Sequence, residues 1–431
     1  MRVSRSLGAT ALTVVVLAAG LVVALRDRLP ERGTDAGDPS DVFWEMVDAS
    51  REGSTDAYLD LFAGEVREQL ETVRDEMGEA AFQQYLRQRI AGLKPRDSFN
   101  QAEGYRYLSR LARAGLMAFI EHADPRAPVL HRVANETVKL GSDNPDNHYL
   151  TAALSGACEY RITGRRNTVA YLGFGTQAGH YGQGGGLPPT GYVEAAELEM
   201  DGEGRFELVL SCKEQEGNWL PMKPDTGMLI VRQTFLDRRT EVPAELHIER
   251  INCAPEEKRP SPLTPSQIDE GLRSASTLVA GASLLFAKWA RDFQKHSNKL
   301  PRFDQETSNQ AGGDPNIAYY HSHWRLAEDE ALVIEAVPPE CEHWNFQLNN
   351  YWMESLDYRY HTIHTNKHLA EYEPDGSVRL VVAHEDPGLP NWLDTAGHTS
   401  GTMCFRWIRA EAHPEPGTRV VKLAELSVLR R

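Results

Sequence analysis

Cysteine is scarce: five residues (Cys158, Cys212, Cys253, Cys341 and Cys404) in a chain of 431. No two form a Cys-x-x-Cys pair, and such a density builds no disulfide framework of the kind that holds small secreted domains. Positive charge is also in short supply. Lys and Arg number 46 against 62 for Asp and Glu, a net charge of −16. A body this acidic repels phosphate backbones, so nucleic acid is excluded as a partner. Also missing are a Gly-x-Ser-x-Gly elbow, a phosphate-gripping Gly-Lys loop and a His-Glu-x-x-His helix. Their absence removes the common enzyme families built on them and leaves other chemistry open. With 41% hydrophobic and 25% charged residues, the composition is that of a globular body with room for about two or three domains.

Long apolar runs are absent with one exception. Leu7 to Leu25 is nineteen residues without a charge, about 28 Å as a helix. Arg2 and Arg5 precede it, and Arg26, Arg28 and Arg32 follow, diluted by Asp27 and Glu31. The run exceeds an ordinary signal-peptide core and continues straight to Arg26, which favours an uncleaved signal-anchor over residues 1–25. A signal cleaved after Val22-Val23-Ala24 and a buried soluble helix are the alternatives. Residues 26–41, charged and containing Gly and Pro, read as a flexible tether. The expected address is therefore a membrane crossed once, with the main body outside the cytoplasm.

Helical periodicity fills residues 42–125, ending in a segment from Gly104 to His122 with Leu108, Leu111, Leu116 and Phe119 on one face. Its other side carries Arg106, Arg110 and Arg113, read as a solvated stripe paired with local carboxylates. From 126 to 255 the texture changes to short alternating runs: Glu159–Thr163, Thr168–Phe174, Val193–Met200, Arg205–Ser211, Gly227–Phe235 and Glu245–Ile251. Thr264-Pro265-Ser266-Gln267 is a capping box with proline in the first turn and opens a connecting helix over 262–297. Strand-like texture then returns over 300–431.

The second β-rich stretch repeats the first. Pro145 with Tyr149 matches Pro315 with Tyr319, 170 residues on, and Asn218-Trp219-Leu220 matches Asn391-Trp392-Leu393. Gly227 with Arg232 matches Gly401 with Arg406, at an offset of 174. Two roles fit the repeated residues. As corners, the Asn binds backbone, the Trp packs and the Arg pairs with a carboxylate. As ligand groups, Trp219 and Trp392 stack while Asn218, Arg232, Asn391 and Arg406 hold oxygens. The copies differ just after the tryptophan, where the second has Asp394 and His398, a candidate acid–base pair. His321 and His323 share a strand face and are the candidate metal ligands. Gly173-Phe174-Gly175-Thr176-Gln177-Ala178 mimics a dinucleotide fingerprint, but five glycines and two prolines in His180–Gly191 forbid the helix that must follow. That stretch reads as a mobile loop over a sandwich edge, and no motif implies a cofactor.

The run Asn144-Pro145-Asp146-Asn147-His148-Tyr149, the strand Tyr160-Arg161-Ile162-Thr163-Gly164, and Asn391-Trp392-Leu393 with Gly401 and Arg406 resemble the bacterial proteins grouped as domain of unknown function 1214. The resemblance spans roughly residues 100–430. It implies jelly-roll-like β-sandwiches with accessory helices, a bacterial source and no established activity. Where that family more often has proline after Asn-Trp-Leu, this chain has Asp394. The expected architecture is thus mainly β: two tandem sandwich units, each preceded by a helix, after a membrane segment and a helical region. The expected function is binding of a polar organic ligand, such as a carbohydrate or envelope component. An enzyme acting on such a ligand and a structural envelope protein are the alternatives.

Overall fold

The computed structural model describes residues 97–430 except 182–186 and 261, with a few single residues between 71 and 95. The apolar run Leu7–Leu25, the tether and most of the region before Asp97 lie outside the described residues. Among the described residues, no helix is long and apolar enough to cross a membrane.

The fold is mainly β, with four four-stranded sheets in two sandwich-like units. In the first unit one sheet has the order β1 (Asn147–Ala153), β7 (Thr226–Thr234), β3 (Tyr171–Ala178), β4 (Pro189–Glu194). Its companion runs β6 (Trp219–Pro221), β5 (Arg205–Ser211), β2 (Glu159–Arg165), β8 (Glu245–Ile251). The second unit has the same order: β9 (Ile317–Arg325), β15 (Ser400–Ala410), β11 (Cys341–Leu348), β12 (His364–Asn366) in one sheet. The other holds β14 (Trp392–Asp394), β13 (Val378–Ala383), β10 (Glu330–Ala336) and β16 (Gly417–Lys422). In each unit the short strand after the Asn-Trp corner pairs parallel to its neighbour, and every other ladder is antiparallel.

Period-two patterning drives this pairing, as in β5, where Phe206, Leu208 and Leu210 are buried between more exposed Arg205 and Glu207. The first core holds Ile162, Phe174, Leu208 and Val231. The second is richer in rings, with Trp324, Trp344, Phe405 and Trp407 fully buried. All five cysteines are free thiols.

One strand departs from the sequence expectation. Val193–Met200 is not a strand: β4 ends at Glu194, and Ala195–Glu197 is a short 3-10 turn closed by a Glu194–Glu197 capping box. The end of the Gly-rich stretch is correspondingly ordered, because Pro189-Thr190-Gly191-Tyr192 pairs with β3. Gly191 lies so near the Pro221 carbonyl that a Cβ there would sit 2.1 Å from its oxygen, which accounts for glycine within that strand.

Helix α1 (Ser98–Leu116) precedes the first unit and α2 (Pro265–Phe293) the second. Asp97 caps α1 by accepting the Asn100 N–H, and Thr264 and Gln267 form the capping box of α2. The helices pack at close range, since a Cβ on Gly115 of α1 would meet the Ala275 Cα of α2 at 2.9 Å. Gly104 of α1 faces the Trp352 indole, where a Cβ would lie 2.5 Å from a ring atom. Trp352 also donates its Nε1–H to the Asn100 carbonyl at 2.7 Å. This contact pins the loop after β11 against the start of α1.

The units interlock through two buried arginines. Arg232 of β7 donates to the Gly312 carbonyl ahead of β9, while Arg406 of β15 donates to the Ser142 carbonyl ahead of β1, both at 2.5 Å. Tyr149 accepts the Asn144 N–H at 3.0 Å and Tyr319 the Asp314 N–H at 3.1 Å, a further matching pair. Beside these links the halves diverge. In one place Glu194 accepts from the Tyr171 and Tyr192 hydroxyls and from the Asn316 amide, and Asp314 accepts from Tyr192 as well. At the equivalent place Asp146 accepts from the Asn366 amide and is approached by His364 and His343. Burial alone would push the Asp146 carboxyl up, but the His364 and His343 imidazoles outweigh it and hold it below the usual carboxylate range.

Candidate functional site

The repeated Asn-Trp corners have their polar groups spent on backbone. Asn218 donates to the Glu199 and Glu207 carbonyls, both at 2.9 Å, and accepts the Glu199 N–H at 2.8 Å. Asn391 repeats this with the Glu371 and Arg379 carbonyls at 2.7 and 2.9 Å and the Glu371 N–H at 2.8 Å. Trp219 donates to Ser211 and Trp392 to Ala383, at 3.2 and 3.1 Å. Arg232 and Arg406 are buried between the units. These six residues fasten corners and interface, and none of them lines the cavity described below.

His321 and His323 do share one face of β9, but they do not converge on a common point. His321 stacks between Phe293 and Tyr319, with ring centroids 5.7 and 5.5 Å away, and burial pushes its imidazole down to about 3. His323 bonds the Ser297 hydroxyl at 2.8 Å, and burial pushes it down to about 4. Among the described residues no group of three or more His, Cys, Asp or Glu side chains is placed to hold a metal ion. The pair belongs to the packing of α2 against β9.

Asp394 and His398 sit on the turn after β14, but each turns to a different partner. The chain reverses through Ala396 and Gly397, with φ of 50° and 81°. Asp394 Oδ2 receives His361 Nδ1 at 2.7 Å, and its Oδ1 accepts the Ala396 N–H, also at 2.7 Å. His398 Nε2 lies 2.9 Å from Glu103 Oε2, 295 residues away in sequence. Its Nδ1 faces the Thr395 and Ala396 carbonyls at 3.1 and 3.2 Å. Carbonyls only accept, so Nδ1 is the donor to them, and Nε2 faces the Glu103 carboxylate. The two carboxylate–imidazole pairs are thus Asp394–His361 and Glu103–His398.

Glu103, His398 and His361 line a cavity of about 450 Å³ between the start of α1, the 350–361 loop and the 394–398 turn, with Asp394 behind His361. Phe99, Ala102, Leu356 and Ala396 supply its apolar wall. Arg106, half exposed, donates to Glu103 Oε1 at 2.8 Å. Arg110 donates to Glu354 Oε1 at 2.5 Å, and Asn350 donates to Glu354 Oε2 at 2.9 Å. Burial raises the Glu354 carboxyl above its ordinary value despite Arg110. Lys139 donates to the Ser355 and Leu356 carbonyls at 2.7 and 2.8 Å, and burial lowers its ammonium. Asp357 is chelated by Arg359 at 2.9 and 2.7 Å, which pulls its carboxyl down to about 2. His361 is the accessible imidazole. Its Nδ1 is engaged by Asp394, and its Nε2 has no protein partner among the described residues.

Sequence reasoning missed Glu103, Lys139, Glu354 and the role of His361, and assigned Arg106 and Arg110 to a solvated stripe. The available signal was the i, i+3, i+7 spacing of Glu103, Arg106 and Arg110, which aligns them on one face of α1.

A family model described as a protein of unknown function, DUF1214, matches residues 327–412. A solved structure of an uncharacterised protein from Burkholderia cenocepacia is 47% identical, covers 89% of this chain and 99% of its own, and superposes with a TM-score of 0.76. The chain belongs to the DUF1214 family. A Vibrio parahaemolyticus protein structure is 12% identical over 74% of this chain and 98% of its own, with a TM-score of 0.43. No curated protein matches the sequence. The stretch matched by the DUF1214 model contains His361, Asp394 and His398, while Glu103, Arg106 and Arg110 come from α1, ahead of it.

Proposed function

We propose that this DUF1214 protein binds a polar organic ligand, such as a carbohydrate or a fragment of an envelope component, in the cavity between α1 and the two loops of the second unit. The observation that carries the reading is the convergence of the Glu103–His398 pair, His361 and two arginines on one cavity of about 450 Å³, a size suited to a small ligand. The apolar wall at Phe99 and Leu356 gives a ring or chain a surface to lie on. In this reading Leu7–Leu25 tethers the body to a bacterial membrane, with jelly-roll-like units held outside the cytoplasm. Calorimetric titration of the protein with a panel of sugars and cell-wall fragments tests it. A ligand that binds the native protein is expected to lose at least tenfold in affinity with His361→Ala, a change at an accessible side chain. Unchanged affinity in that variant refutes the cavity as the site.

A second reading, an enzyme acting on the same ligand, is favoured by the Asp394–His361 geometry. A carboxylate that orients Nδ1–H leaves Nε2 fit to take a proton, as a general base requires. Turnover abolished in Asp394→Asn, with binding retained, supports that reading. Binding without turnover across the panel leaves the binding function alone.

A further inference from the structure

We infer that the ligand of this cavity carries an oxyanion, a carboxylate or a phosphate, which Arg106 and Arg110 hold; this rests on the cavity being the binding site. The acidic walls are already consumed. Both oxygens of Glu103 are engaged, by Arg106 and by His398. Both oxygens of Glu354 are engaged by Arg110 and Asn350, and both of Asp357 by Arg359. Asp394 is likewise occupied on each oxygen, by His361 and the Ala396 N–H.

The donors are not consumed. Arg106 and Arg110 each spend one terminal nitrogen on a wall carboxylate, and the remaining N–H groups have no partner among the described residues. A guanidinium presents five N–H groups in a planar fork, so each arginine keeps an edge for a second acceptor. A wall whose carboxylates are capped and whose guanidiniums are half used offers hydrogen bonds to an acceptor-rich anion. A neutral polyol would leave those donors to water.

Titration of the full-length protein with glucuronate, glucose 6-phosphate and glucose separates the cases on one sugar frame, and the two anions separate carboxylate from phosphate. At least one anion is expected to bind tenfold or more tighter than glucose. Arg106→Gln, at a half-exposed side chain, is expected to erase that preference. Arg110→Lys keeps the charge beside buried Glu354 but loses the fork, and is expected to weaken the anion about threefold to tenfold. Glucose binding as tightly as both anions, neither anion binding, or a preference that survives Arg106→Gln would each overturn the inference. Equal binding of all three that is lost in His361→Ala would leave the cavity as the site and remove only the anion. Binding indifferent to both Arg106→Gln and His361→Ala would remove both.

Discussion

Replacing Arg406 with alanine tests how the two β units are joined. Its guanidinium is buried, donates to Gln347 Oε1 at 2.6 Å and to the Ser142 carbonyl at 2.5 Å, and lies 5.7 Å from the Tyr319 ring centroid. Ser142 belongs to the segment leading into β1, so the second of these bonds crosses from one unit to the other. Charge-assisted bonds of this kind contribute about 1.5–3 kcal/mol each, and removing the donor strands three buried acceptors, Gln347 Oε1, the Ser142 carbonyl and, more weakly held at 3.4 Å, Asn345 Oδ1. The two strong bonds together set the expected loss at about 4 kcal/mol. At roughly 2 °C per kcal/mol for a chain of this size, Tm should fall by about 8 °C. Scanning calorimetry and urea unfolding measure it. Arg232→Ala, at the matching position, should cost at least as much, because it leaves fully buried Asp314 without its cation at 3.9 Å. A loss below about 1 kcal/mol in Arg406→Ala would refute the reasoning, since no rearrangement of an exposed side chain could hide stranding of that kind.

Two further substitutions act on acid stability in different pH windows. His321 has a folded-state value pushed down to about 3 by burial, so it contributes stability above about pH 6.5 that is lost as pH falls toward 3. His321→Phe keeps the ring stack and should flatten the urea-midpoint profile between pH 6.5 and 4 by up to about 1.4 kcal/mol per pH unit. An unchanged slope would contradict a neutral, buried imidazole there. Asp146 is held below the usual carboxylate range, so its contribution is complete above about pH 4 and lost only below it. Asp146→Asn should lower stability at pH 7 by about 1–3 kcal/mol and shallow the acid limb below pH 4. A variant as stable as the native protein at pH 7 would contradict the buried hydrogen bonds that join Asp146 to His364 and Asn366.

Local signals in the sequence led to local structure. The Thr264–Gln267 box starts α2, and the alternation of Arg205–Ser211 is β5, because caps and period-two burial are decided within a few residues. The Asn-Trp-Leu repeats marked real corners, yet the same signal drew attention away from the cavity, since a repeated residue and a ligand-facing residue look alike in one dimension. Val193–Met200 was misread because alternation persists past Glu194, where the capping bonds of Glu194 and Glu197 turn the chain. The cavity itself was hidden by distance along the chain. His398 finds Glu103 across 295 residues and Arg110 finds Glu354 across 244. Even Asp394 and His398, four apart, diverge because two consecutive residues of positive φ redirect the turn between them.

Hydrogen-exchange mass spectrometry of the protein with and without a bound ligand tests the central claim most directly. The account predicts slowed exchange in three separated segments together: 98–110 of α1, the 350–361 loop and the 394–398 turn. Protection confined to the Asn218–Trp219 corner, or to any surface that leaves those three segments unchanged, would contradict it.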